Sequence, residues 1–197
     1  MDAFWLWFST GIEHITDLNG YDHILFVSLL VFTYPFKQWK PLVILISGFT
    51  LGHSVSLIAS TISQIRLPQS FIEFLIALSI LMSALYNLII SRKVPPTHQT
   101  KRILFLIICF FGLIHGLGFS YLLKSMLGTG QNVLLPLLYF NLGLEVGQLI
   151  IVLIVIVFSL LLTSLSKWSF NNYKLFIVCA IGLIALKICI ERFMELF

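Results

Sequence analysis

Between Gly11 and His23 the chain reads GIEHITDLNGYDH, which sets His14, Asp22 and His23 at the mouth of a long apolar run. Later apolar segments carry His53, His115 and Glu145. A charge or polar ring buried in such surroundings must be paired, neutralised or bound to a metal. Imidazole nitrogen with carboxylate oxygen, and no thiolate, suits borderline divalent ions such as Ni²⁺, Co²⁺ and Zn²⁺ and disfavours Cu⁺. Four histidines also speak against a pure Mg²⁺ or Ca²⁺ site. If all six residues bound together the shell would be crowded for Zn²⁺, which prefers four ligands. A near-octahedral ion, or two successive sites, fits more easily.

Each residue has a plainer reading. Asp22 suits a helix start, where the macrodipole favours a carboxylate, and His14 or His23 could sit wet at the headgroups. His53 and His115 could serve as interhelical hydrogen-bond partners. Glu145 is harder to explain structurally, because an intramembrane ionisable group is by default a functional one. Asn141, Glu145 and Gln148 lie at i, i+4 and i+7, so they form one polar helix face that is expected to line the site. Glu73 is either a proton-accepting neighbour of the site or an interfacial carboxylate near Arg66. Ser79 and Asn87 read as helix-packing groups, Lys187 and Glu191 as an i, i+4 pair, and His98 as a solvated loop residue.

The segments that must position these groups are membrane spans. Of 197 residues 59% are hydrophobic and 10% charged, with a mean hydropathy of +1.03, far from soluble averages. The net charge of +4 comes from basic residues lying between apolar runs, so it speaks for orientation in a bilayer and not for nucleic acid. Cys109, Cys179 and Cys189 form no CxxC or Cys/His cluster and read as packing residues. No Lys or Arg precedes Lys37, so the first apolar stretch lacks the basic region of a signal peptide.

Measured against the roughly 20 residues that a helix needs to cross, the chain predicts an all-α, polytopic membrane helix bundle. Six spans are expected at 20–36, 40–62, 69–91, 103–124, 132–165 and 174–195, after a short N-terminal interfacial or re-entrant helix. Residues 1–197 are expected to form a single membrane domain, with Pro95 and Pro96 stiffening the longest loop. Lys37, Lys40, Arg92, Lys93, Lys101, Arg102, Lys167 and Lys174 fall on one side of this arrangement, against Arg66 and Lys124 on the other. The positive-inside rule makes the first side cytoplasmic and both termini extracytoplasmic. His53 and His115 then lie about 13 Å below the outer ends of their spans at helical rise. Asp22, His23 and Glu145 enter from that same side, so all six residues are expected to converge in the outer half of the membrane.

FTLGHSVSL at 49–57 and FGLIHGLGF at 111–119 share Phe, Leu and His in register, a faint internal repeat on spans of equal direction. Gly48 and Gly52, Gly112 and Gly116, and Gly143 and Gly147 form GxxxG pairs, which let helices approach closely.

GIEHITDLNGYDHILF at 11–26, FTLGHSVSL at 49–57, FIEFLIALSI at 71–80, FGLIHGLGFS at 111–120 and FNLGLEVGQ at 140–148 together resemble the HupE/UreJ family. These are integral membrane proteins associated with nickel supply to hydrogenase and urease. The resemblance implies a protein of the bacterial inner membrane in contact with lipid, a divalent transition metal as its ion, and His14, Asp22, His23, His53, His115 and Glu145 as its polar set. Nickel/cobalt permeases show a similar LGHS and a histidine shortly before an Asp-His pair. Here His14 stands eight residues before Asp22, further than in that motif. Two functions stay open: a permease for a Ni²⁺/Co²⁺-type ion, or an intramembrane metal-dependent hydrolase or transferase acting on a lipid or lipoprotein.

Overall fold

A computed structural model of the chain describes residues 2–62, 67–89, 97–126, 133–166 and 168–197, the side chains of Tyr121 and Lys124 excepted. Arg66, Arg92, Lys93, Pro95, Pro96 and Lys167 lie outside the described residues. Among the described residues there are seven helices: α1 (Ala3–Thr16), α2 (Asp22–Val31), α3 (Trp39–Ile62), α4 (Gln69–Ile89), α5 (His98–Met126), α6 (Leu134–Leu165) and α7 (Phe170–Met194). Five of them, α3 to α7, are long and apolar enough to cross a membrane.

The expected first span is the exception. Helix α2 has ten residues, about 15 Å at helical rise and about half of a 30 Å hydrocarbon core. Its end has a local cause. Phe32 and Thr33 turn back onto the carbonyls of Leu29 and Leu30, and Pro35 restricts Tyr34 to extended backbone. From Phe26 to Val31 every residue is buried, as expected of a helix that is apolar all round and enclosed by others.

Close approach at glycine organises the rest. Helices α3 and α5 run side by side in the same direction: a Cβ on Gly52 would collide with the Cys109 carbonyl, and one on Gly112 with that of Phe49. Gly116 lies against Ser56 and the His53 backbone. The third glycine pair does not join this seam. Gly143 faces Phe8 and Gly147 faces Ile12 and Ile15, while Gly11 faces Phe140 and Leu144. Helix α1, expected at the interface or re-entrant, thus packs lengthwise on the first half of α6.

Helix α4 runs opposite to α5, since Ser79 meets His115 while Gly118 meets Ile72 and Ile76. Helix α7 runs opposite to α4, from Gly182 beside Ala84 to Arg192 beside Glu73. Asn87 donates to the Leu29 carbonyl at 3.1 Å and so ties α4 to the buried α2. Leu153, Ile154, Phe158 and Leu161 on α6 and Leu175, Phe176 and Leu183 on α7 are exposed. Such an apolar surface suits lipid, in keeping with an integral membrane protein.

Candidate metal centre

Each ligand in the site is delivered by a different local device. His14 lies in the last turn of α1. Asp22 and His23 open α2, reached through a bend in which Asp17 accepts from the Asn19 backbone at 2.9 Å. His53 and His115 project from the glycine-packed seam of α3 and α5, whose close contact brings two distant parts of the sequence to one level.

The rings converge on His23. Its centroid is 4.8 Å from that of His14, 5.1 Å from that of His115 and 6.1 Å from that of His53. Two ligand triads result, His14/His23/His53 and Asp22/His23/His115, each with its ligating atoms within 4.8 Å of one another. His53 is fully buried, His115 is 1% exposed and His23 4%.

Ring nitrogens without partners suit the cluster to a metal. Among the described residues, His14 Nε2, His23 Nε2, His115 Nδ1 and both ring nitrogens of His53 have no hydrogen-bond partner. Leaving a buried polar group unsatisfied costs about 1 to 3 kcal/mol, and here five nitrogens are gathered in one place. Their lone pairs are what a borderline divalent ion would take.

Two neighbours set the tautomers. The Ser79 hydroxyl donates to the Ile76 carbonyl at 2.7 Å and lies 3.0 Å from His115 Nε2. With its one proton committed to Ile76, Ser79 accepts from Nε2–H and leaves the Nδ1 lone pair free. Asp22 Oδ1 lies 3.3 Å from His23 Nδ1. A proton on Nδ1 then leaves the His23 Nε2 lone pair open, while the Asp22 carboxylate keeps further lone pairs for an ion.

Phenyl rings close the space around the cluster. Phe119 lies 3.9 Å from the His14 ring and stacks on Phe140 at 5.0 Å, while Phe26 and Phe49 lie 5.2 and 5.1 Å from His115. Fixed charges act more strongly where water is excluded. A cavity of about 370 Å³ beside the cluster follows α4 from Gln69 to Ile80. His14, Asp22, His23 and His115 face it, with Glu73 and Arg192 at the Gln69 end. His53 is not among its lining residues.

Of the six residues singled out in the sequence, five meet in these triads. Glu145 belongs to neither: on α6 its carboxylate accepts from the Ser47 hydroxyl of α3 at 2.5 Å. Gln148, one turn on, meets Thr50 at 2.8 Å, so the polar face of α6 does look inward, towards α3. Asn141 Nδ2 bonds back to the Leu137 carbonyl. Glu73 pairs with Arg192 at 3.1 Å, Lys187 with Glu191 at 3.6 Å, and His98 is exposed. Cys109, Cys179 and Cys189 are free thiols. The Ser79 contact with His115 and the phenyl collar escaped sequence reasoning. A polar residue on a neighbouring helix at matching depth was a signal for Ser79, whereas four particular phenylalanines cannot be picked out of 18.

Neither curated proteins nor solved structures yield a match to the chain. A family model described as HupE / UreJ protein matches residues 1–192. Nearly the whole chain, including all five clustered residues, is covered by that match, and the protein belongs to the HupE/UreJ family.

Proposed function

We propose that the protein is a permease for a divalent transition metal of the Ni²⁺/Co²⁺ type, with His14, Asp22, His23, His53 and His115 as the binding centre for its cargo. The observation that carries this reading is the pair of triads sharing His23 beside a cavity that His14, Asp22, His23 and His115 line. The Asp22/His23/His115 triad faces that cavity, whereas the other ends at the fully buried His53. A cargo ion can exchange one set of ligands for the next while His23 stays bound, so no step requires a bare ion in an apolar medium. Family membership supports the same class of cargo, the family being related to nickel and cobalt transport. By the positive-inside rule the cavity opens outwards, and the centre then lies in the outer half of the membrane.

The apolar wall formed by Ile76, Ile80, Leu122 and Ile188 favours a second reading, a metal-dependent hydrolase or transferase that admits a lipid chain beside the metal. Uptake separates the two. Purified protein in sealed proteoliposomes should carry Ni²⁺ or Co²⁺ to an enclosed metal-sensitive dye, and His53→Ala should abolish the signal. Protein that binds the ion tightly yet never delivers it to the lumen contradicts a permease and leaves the enzyme.

A further inference from the structure

Glu145 lies outside the histidine cluster, and its surroundings differ in kind. On α3, Thr50 and Ser47 follow His53 at three and six residues towards the N-terminal end, about 4.5 and 9 Å along the axis. By the orientation argued above, that is the cytoplasmic direction. Helix α6 crosses there and supplies Gln148 to Thr50 and Glu145 to Ser47. The side-chain donors are a carboxylate, two hydroxyls and an amide, with no nitrogen lone pair among them.

Gln148 is fully buried and its Nε2 has no hydrogen-bond partner among the described residues. Amide oxygen and nitrogen are interchangeable in placement and are assigned from their partners. The Thr50 hydroxyl also lies within 3.3 Å of the Ile46 carbonyl. With its proton on Ile46, Thr50 accepts from a reversed amide, and the carbonyl oxygen of Gln148 becomes the free atom. The buried group without a partner is then an oxygen lone pair one helical turn from Glu145, which suits a cation. Interhelical packing accounts for the two hydrogen bonds but not for a carboxylate and a buried amide placed together.

We infer that Glu145 and Ser47, with Gln148 and Thr50 beside them, form a second cargo station of oxygen donors on the inward side of the histidine centre. This rests on the permease reading. Oxygen ligands hold Ni²⁺ or Co²⁺ more weakly than imidazole does. An ion that leaves His53 thus passes to a site from which it can be released, and Glu145 supplies the negative charge that compensates it where α6 is otherwise apolar.

The test compares binding with transport in the same purified preparations, using Ni²⁺ alone. Glu145→Gln should bind Ni²⁺ within about threefold of wild type, as expected of independent sites. Its initial uptake into proteoliposomes should fall at least about tenfold, the lower bound for losing a group that supports a metal site. Glu145→Asp should recover part of the uptake, and a monodisperse elution profile controls for folding. His53→Ala should lose binding and uptake together. Wild-type uptake with undiminished uptake by Glu145→Gln overturns the station and leaves the permease standing. Loss of equilibrium binding by Glu145→Gln equal to that of His53→Ala places Glu145 in the histidine centre and overturns a separate station. No uptake by wild type overturns both readings.

Discussion

The rings of His23 and His115 meet edge to face with centroids 5.1 Å apart, and among the described residues His23 Nε2 and His115 Nδ1 both lack a hydrogen-bond partner. Their other nitrogens lie against Asp22 and Ser79. Two imidazoles fixed in this way cannot satisfy each other, since the nitrogen left open on each is an acceptor. A cation that accepts both lone pairs resolves the conflict, and the surrounding phenyl rings leave few alternatives.

Loss of an imidazole should therefore cost affinity in proportion to its place in the cluster. Replacement of groups that only orient ligands typically costs about 10 to 100-fold in metal affinity, so Ser79→Ala should fall in that range. His53→Ala and His115→Ala should cost at least as much. His98→Ala, at the exposed start of α5, should bind as wild type does. Equilibrium dialysis of folded, metal-stripped variants against Ni²⁺ measures this series.

Much of the centre was legible in the sequence because depth can be counted along a helix. His53 and His115 each lie nine residues before the ends predicted for their spans, and the structure brings both rings to His23. The direction of the repeat, Phe49 to Leu57 against Phe111 to Phe119, also agrees with two helices packed in parallel. Depth does not give azimuth, however. Glu145 was counted to the same half of the membrane, yet the rotation and crossing of α6 bring it to Ser47, nearly two turns of α3 from His53, instead of to the rings. The course of α1 was hidden for a related reason: Gly143 and Gly147 announced a close helix contact, but only Gly11 on α1 pointed to the partner. The shortness of α2 follows from Phe32 and Thr33 turning before Pro35, a stop that an apolar run from 20 to 36 conceals.

The seam between α3 and α5 should be intolerant of any side chain at Gly52. A Cβ there meets the Cys109 carbonyl and the Leu113 backbone nitrogen, and backbone cannot move aside as a flexible side chain can. Gly52→Leu should lower stability by about 1 to 3 kcal/mol or more, as overpacking does, and should separate His53 from His115. Thermal unfolding in detergent should show a lower midpoint, with metal affinity lost in the protein that remains folded. Leu183→Ala, on the exposed face of α7, should change neither.

The orientation used for the cavity rests on the asymmetry of Lys and Arg. In a cysteine-free background, cysteine in place of Leu67, at the exposed approach to α4, should react with an impermeant thiol reagent added outside. Cysteine in place of Gln38, in the exposed turn before α3, should react only after the membrane is opened. The reverse pattern would turn the cavity towards the cytoplasm and make the proposed direction of flux outward.

The most direct measurement is a structure of the Ni²⁺- or Co²⁺-loaded protein with anomalous scattering collected on both sides of the metal edge. The account predicts an anomalous peak at His23, shared with Asp22 and His115 or with His14 and His53. A peak bound only to surface carboxylates, or imidazole rings left bare in protein saturated with metal, would contradict it.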